Sequence, residues 1–215
     1  MKSKLICLAG LDGSGKTTQA NLLKNWISGM KYGCELIKFH TEPDKTEHNE
    51  LCQKATDYLA ANRLMVSFSE IALIKEAFSL QKKLEERIAP ALSAGKNVIL
   101  DRYYETYDAY IRLKNEKNHW INKIIGSFPA PDLYIFIDTL PGVCYERLKK
   151  RRWVIHPHEQ LEALKKTREY YLSHRDKYSF VIVDGQDPLE RIHLTLQQII
   201  GHRFGIRDRD LSVKG

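Results

Sequence analysis

The stretch from Leu5 to Met30 constrains this chain more than any other part of it. A short apolar run, Leu5 to Ala9, leads straight into Gly10-Leu-Asp-Gly-Ser-Gly-Lys16-Thr17, which matches G-x-x-x-x-G-K-[ST], and a helix-length stretch follows from Lys16. A strand, a glycine-rich turn and a helix in that order form an anion cradle. Gly10, Gly13 and Gly15 let the backbone curl so that successive N–H groups, that of Ser14 among them, point inward, and the helix start adds its positive end. Lys16 then neutralises β and γ phosphates, Thr17 offers its hydroxyl to Mg²⁺ and Thr18 follows them at the head of the helix; such loops serve GTPases, ATPases and kinases alike, so the rest of the site must choose.

The rest of the pattern fits a sheet that can carry such a turn. Nearly continuous apolar runs of strand length fall at Lys4 to Ala9, Cys34 to Phe39, Asn97 to Leu100, Leu133 to Ile137 and Phe180 to Val183. Runs of this kind belong to strands buried on both faces, and their alternation with amphipathic stretches predicts an α/β fold with a five-stranded parallel sheet flanked by helices on both faces. Edge strands should be the least continuous. Helices are expected at Lys16 to Met30, Val66 to Ser93, Thr106 to Leu113, His119 to Gly126, Pro141 to Lys150, Glu159 to Arg175 and Pro188 to His202. In the second of these, Ile71, Ile74, Phe78, Gln81, Leu84 and Ile88 read as one face. The chain of 215 residues makes one domain over 1–203, with a short lid at about 150–158 and a loose tail over 204–215.

Composition excludes several classes. With 43% hydrophobic and 28% charged residues the chain is globular, neither disordered nor collagen-like. Cys7, Cys34, Cys52 and Cys144 are scattered, without the spacing of a zinc site or a redox pair. The run Leu5 to Ala9 is too short for a signal peptide or a membrane span, so a cytoplasmic setting without a membrane partner is expected. The net charge of +7 invites a polyanion, either nucleic acid or a nucleotide. Nucleic-acid binding would need basic residues interleaved with aromatics across a face, and beyond Arg147 to Trp153 the sequence offers none.

Two further clusters narrow the chemistry. Asp101-Arg102-Tyr103 stands at the carboxyl end of a strand, where ligands bind in open α/β sheets. An acid there can hold the metal shell, and the arginine can clamp a phosphate bidentately, although a strand-capping ion pair is the plainer reading of the same residues. Arg147, Lys149, Lys150, Arg151 and Arg152 then place five cations in six residues before a proline-containing loop. Such a run is often a solvated helix face; here it can close over a triphosphate. No N-K-x-D element is present to read guanine, which argues against a GTPase.

These motifs resemble the thymidylate kinase family of phosphate-loop nucleotide kinases. Gly10 to Gln19, Thr41-Glu42-Pro43, Ile88 to Leu92, Asp101-Arg102-Tyr103 with Ala109-Tyr110, Pro131-Asp132-Leu133, Glu146-Arg147-Leu148 and Asp184-Gly185 each match a family signature, from about Leu5 to Ile200. The resemblance implies ATP and Mg²⁺ as cofactors and a nucleoside monophosphate as the small-molecule acceptor, thymidylate by family default. It also implies a homodimer. In that scheme Asp12 faces the acceptor, Asp101 and Thr17 serve the metal, Arg102 and Tyr110 serve the acceptor, Arg147 packs on adenine and Gly185 closes the nucleotide side. With Gly13 in the loop, the catalytic arginine becomes Arg151 or Arg152 of the lid.

The acceptor side departs from the family. Counting back without gaps from Pro90, the phosphate-binding arginine of the family falls on Leu80 and the base-stacking aromatic on Glu76. Thr41 replaces a further arginine, and Ile111 replaces the base-reading glutamine. A shift of the alignment would instead bring Phe78 to the base and Lys82 or Lys83 to the phosphate. A second reading therefore keeps the ATP site and moves the acceptor to a hydroxyl, of a nucleoside or a specialised metabolite, with Glu42 as base and Glu76 toward an amine. Glu42 as a helix cap is the structural alternative.

Overall fold

The computed structural model describes residues 2–38, 45–62, 68–106, 108, 109, 126, 128–151 and 154–206. Its centre is a parallel sheet of β1 (Leu5–Gly10), β2 (Cys34–Lys38), β3 (Asn97–Asp101), β4 (Leu133–Asp138) and β5 (Val181–Asp184), in the order β2-β3-β1-β4-β5. All five expected strands are present, each within a residue or so of its expected bounds. The middle strands β1 and β3 are buried throughout, whereas the edges β2 and β5 are largely part-exposed, with Ile37 and Val183 buried. That contrast is what two-sided cover by helices imposes on a parallel sheet.

The register positions the site. Leu8 lies beside Asp101 on β3, and Gly10 lies beside Ile137 on β4. The chain leaves β1 toward β2 on one side and later crosses back to β4 on the other. The crevice at the carboxyl ends of β1 and β3 is thus the switch point at which open α/β sheets bind ligands.

Helices cover both faces. On one, Ala20, Leu23 and Ile27 of α1 (Lys16–Gly29) and Ile192, Leu196 and Ile200 of the last helix pack on Ile6, Leu8, Ile99 and Ile135. On the other lie α2 (Lys45–Ala61), α3 (Phe68–Lys83), α4 (Ala89–Ser93), and Tyr170 and Tyr171 of α6 (Leu161–Ser173). A smaller cluster joins Leu11 to Cys144 and Leu148 of α5 (Pro141–Arg151) and to Leu164. The short α7 (Arg175–Tyr178) and the long α8 (Leu189–Phe204) frame β5. No helix among the described residues is long and apolar enough to cross a membrane.

Several expectations are corrected. Helix α2 was not foreseen, because its buried stripe is thin, with Leu51 and Ala55 inside and Tyr58 meeting Phe78 edge to face. The expected helix over Val66 to Ser93 is interrupted by a π turn at Leu84–Ile88, which adds a residue to one turn and rotates the faces on either side. Of the expected stripe, Ile74 and Ile88 are buried and Phe78 and Leu84 pack partly buried against the core, with Ala77 and Leu80 buried beside them; Gln81 instead bonds Glu85. The helix expected over Glu159 to Arg175 starts at Leu161, after a 3₁₀ turn at Pro157–Glu159, and gives way to α7. Phe204 ends α8 and Ile206 is buried, so the expected loose tail does not begin at residue 204. Of the helix expected at Thr106 to Leu113, only Thr106, Asp108 and Ala109 are described. The stretch His119 to Gly126 lies outside the described residues except for Gly126.

Candidate active site

The turn between β1 and α1 is built as its glycines predict. Gly10, Gly13 and Gly15 have φ of 147°, 83° and 95°, all in the region that disfavours a side chain. A Cβ on Gly13 would stand 2.6 Å from the Cys144 carbonyl oxygen, so α5 approaches this turn at backbone distance. The Ser14 amide closes the turn onto Leu11 O at 3.2 Å, and α1 begins at Lys16. The Ser14 hydroxyl is buried without a hydrogen-bond partner, as befits a polar atom aimed at a ligand oxygen.

Above this turn opens a cleft of about 590 Å³. Its wall includes Asp12, Gly13, Ser14 and Gly15 of the turn, Lys16, Thr17 and Thr18 of α1, Asp101 at the end of β3 with Arg102 after it, and Arg147 and Arg151 from α5. The topology therefore gathers three separate sequence clusters into one concave surface. Across it the Arg102 guanidinium donates to Asp12 Oδ1 at 2.5 Å, and the Thr17 hydroxyl donates to Asp101 Oδ2 at 2.5 Å. Arg147 reaches back to the Gly13 carbonyl at 3.3 Å.

The electrostatics are those of a site set for anions. Lys16, only 5% exposed, folds onto Leu11 O at 2.5 Å. Burial first, and the Arg102 charge second, bring its ammonium down to about 8, against the pull of Asp12 and Asp101. Burial alone would push the Asp12 carboxyl up. The Arg102 guanidinium, followed by Lys16 and His158, reverses the sign and holds it below the usual carboxylate range. Lys16 and Arg102 thus put two buried cations on one cleft wall, a setting that suits a polyphosphate.

Other expected residues lie elsewhere. Leu80 is 3% exposed in the core beneath α3, on the same stripe as Ile74 and Ala77, and does not line the cleft. Glu76 is half-buried on α3 and is likewise absent from the cleft wall. Gly10 and Gly185 are backbone necessities behind the wall: a Cβ on Gly185 would collide with the Thr139 hydroxyl, and its amide bonds Asp138 O at 2.9 Å. Glu42, Tyr110, Ile111 and Arg152 lie outside the described residues, as does Thr41.

The structure adds wall residues that motif reading passed over. Lys38 ends β2 beside Asp101, and Asp187, Leu189 and Ile192 open α8; Gln19, the last residue of the loop signature, also lines the wall. Lys38 and the start of α8 could have been found by asking which residues follow the carboxyl ends of strands. Arg168 of α6 clamps Asp138 with two hydrogen bonds of 2.6 and 2.8 Å, fixing the segment after α5 to β4.

Comparison with known proteins agrees with this geometry. A family model described as thymidylate kinase matches residues 8–196. A thymidylate kinase from a Thermoanaerobacter species is 32% identical over 207 residues, covering 93% of this chain and 98% of that protein. One from Caldanaerobacter subterraneus is 31% identical over 199 residues, covering 90% and 92%. Among solved structures, the Candida albicans thymidylate kinase superposes with a TM-score of 0.65 at 23% identity, covering 96% of this chain and 94% of that one, a likeness of fold. With its phosphate loop, sheet order and full-length similarity, the chain belongs to the thymidylate kinase family of ATP-dependent phosphotransferases.

Proposed function

We propose that this chain transfers the γ-phosphoryl group of ATP to the phosphate of a nucleoside monophosphate, with thymidylate as the first acceptor to test. The observation that carries the reading is the pairing of Arg102 with Asp12 across a cleft whose floor is the phosphate loop. An acceptor phosphate approaching Arg102 meets an arginine held in place by an acid, and Lys16 lies on the donor side of the same cleft.

In this reading an acceptor phosphate oxygen attacks the γ-phosphorus, the bond to the β–γ bridging oxygen breaks, and the electron pair stays on ADP. Lys16 moves from Leu11 O to the β and γ phosphates, while Ser14, Gly15 and Thr18 supply hydrogen bonds from the loop. Arg102 orients the acceptor phosphate, and Asp12 orients Arg102. Arg151, from the start of a lid at about 150–158, and Arg152 beside it are the candidates for the arginine that stabilises the transferring group. Arg147, which reaches the Gly13 carbonyl, is the candidate to cover the nucleotide base.

Thr17 and Asp101 suit Mg²⁺, because two hard oxygen donors converge at hydrogen-bond distance beside the phosphate loop. Bound there, the ion would neutralise charge on the donor phosphates. The family resemblance also carries a homodimer, which light scattering on the purified chain checks, and a cytoplasmic setting, with which four free cysteines agree.

One observation favours the alternative acceptor. Helix α3 contains no arginine, and Leu80 is buried, so the family's phosphate contact from that helix is missing. A panel of nucleoside monophosphates, nucleosides and simple alcohols, each with Mg·ATP and coupled to ADP release, separates the two. Thymidylate or another monophosphate should give the largest kcat/KM. A nucleoside or alcohol that outruns every monophosphate replaces the first reading with hydroxyl phosphorylation, for which Glu42 is the candidate base and Glu76, Tyr110 and Ile111 the candidate acceptor contacts.

A further inference from the structure

Beneath the Asp101-Arg102-Tyr103 turn lies an acid that no motif contains. Glu105 is fully buried, at 0% exposure, in the layer of tyrosines between the sheet and the helices on the α3 side. Its Oε1 accepts the Tyr103 backbone N–H at 3.2 Å and the Thr106 hydroxyl at 3.3 Å. Its Oε2 accepts the Tyr134 hydroxyl of β4 at 3.3 Å, and the Cys7 thiol of β1 stands 4.0 Å from Oε1. One carboxyl group thus ties two strands to the turn. In that turn Arg102 has φ 73°, a left-handed backbone that costs a residue with a Cβ roughly 1–2 kcal/mol and persists only where its surroundings enforce it.

We propose that Glu105 is a positioning residue for phosphoryl transfer: its carboxylate anchors the Tyr103 amide from below, fixes the left-handed Arg102 and so sets the guanidinium against Asp12 in the cleft. The inference rests on the phosphotransferase reading above and extends it to a residue that touches neither substrate. Two amides hold the turn. The Arg102 N–H bonds Leu8 O at 3.1 Å within the sheet, while the Tyr103 N–H depends on Glu105. An apolar side chain would fill the same space without desolvating a carboxyl group, but would leave the buried amide unpaired.

Burial pushes the Glu105 carboxyl up to about 7, opposed by its backbone hydrogen bonds and by Arg102. The neighbours that face it stay neutral through that range. Burial raises the Cys7 thiol of β1, the Tyr134 phenol of β4, and the phenols of Tyr103 and Tyr104. Of the charged groups nearby, Arg102 acts on Glu105 itself, Asp101 and Lys16 act on its neighbour Cys7, and Asp108, with its partner Lys177, acts on its neighbour Tyr104. Once protonated, Glu105 has a donor where it had an acceptor, so the Tyr134 or Thr106 hydroxyl must turn from donor to acceptor, and the Tyr103 amide keeps a neutral, weaker acceptor that holds the turn less firmly.

The experiment is a double-mutant cycle with thymidylate and Mg·ATP. Glu105→Gln should lower kcat about tenfold and change the KM for ATP less than about twofold, since misplacing a catalytic group by a fraction of an ångström acts on turnover. In an Arg102→Ala background the same change should cost less than about twofold, because its effect runs through Arg102. The kcat/KM for the acceptor should rise through a pH of about 7 in the unaltered chain and lose that inflection in Glu105→Gln. Additive losses in the cycle, or an inflection retained by Glu105→Gln, overturn the proposal. Should Glu105→Gln not fold, the unaltered chain still decides. An inflection near 7 that vanishes in Arg102→Ala supports the proposal, and a flat profile between pH 6 and 8 overturns it. Transfer by the unaltered chain is established first in the acceptor panel, so failure of the proposed function shows there and failure of this inference only in the Glu105 and Arg102 variants.

Discussion

At Lys16 the cost of a prepared site is visible in one side chain. Its ammonium is buried, held by a carbonyl, and brought down to about 8 before any phosphate arrives. Removing it relieves an unfavourable burial and deletes the charge that the phosphates need. Lys16→Ala should therefore lower kcat/KM by on the order of 10²–10³-fold while leaving the melting temperature within a few degrees. Turnover near normal would remove Lys16 from the site. Leu80 is the opposite case. The gapless count makes it the place to restore an acceptor arginine, but the side chain is 3% exposed among Ala77, Ile88 and Tyr103. Leu80→Arg forces a guanidinium into that core. It should cost about 3 kcal/mol or more, seen as a melting point lowered by roughly 6–12 °C, without improving thymidylate use. A stable variant with a lower KM for thymidylate would show that α3 turns this position toward the acceptor.

Elements explain why some of this was legible in the sequence and some was not. The phosphate loop can be read because its requirements are local: φ values open only to glycine, and a helix start. Gly13 and Gly15 separate two of those requirements. Both have left-handed φ, but a Cβ at Gly13 meets the Cys144 backbone, whereas at Gly15 it meets nothing within 4 Å. Gly13→Ala should weaken ATP binding at least tenfold in titration calorimetry, and Gly15→Ala less, since it carries backbone strain alone, about 1–2 kcal/mol. Equal effects would mean that the approach of α5 does not shape the loop. The central strands were equally legible, because burial on both faces leaves an uninterrupted apolar run. Helix α2 was not, since among the described side chains its buried stripe is just Leu51 and Ala55. The π turn at Leu84–Ile88 has no composition of its own, yet it stands between Leu80 and Pro90, so a gapless count back from Pro90 does not carry a facing across it. Glu105 reads in the sequence as one acid among tyrosines; only the fold, by bringing Cys7 and Tyr134 beside the turn, gives it a role.

For the whole molecule, Glu105 sets a conflict between stability and activity. Its folded value of about 7 lies above the usual 4.5, so the folded protein binds a proton that the unfolded chain releases. The stability this contributes is fully present below about 4.5 and is lost as pH rises through about 7. The difference amounts to about 3 kcal/mol, a sizeable share of the 5–15 kcal/mol typical of a domain. Glu105→Gln has no such proton to lose. Its melting temperature relative to the unaltered chain should therefore climb between pH 5 and pH 7.5, by several degrees in a domain of this size. Other groups do not confuse the comparison. Asp12, held below the usual carboxylate range, stays ionised across the window, and Lys16, which titrates near 8, is common to both proteins, so its effect cancels in the difference. A melting-point difference that is constant from pH 5 to pH 7.5 would show that Glu105 does not titrate there. A rising difference, together with an acceptor profile that climbs over the same range, means that the ionised carboxylate destabilises the fold at the pH where it best holds Arg102.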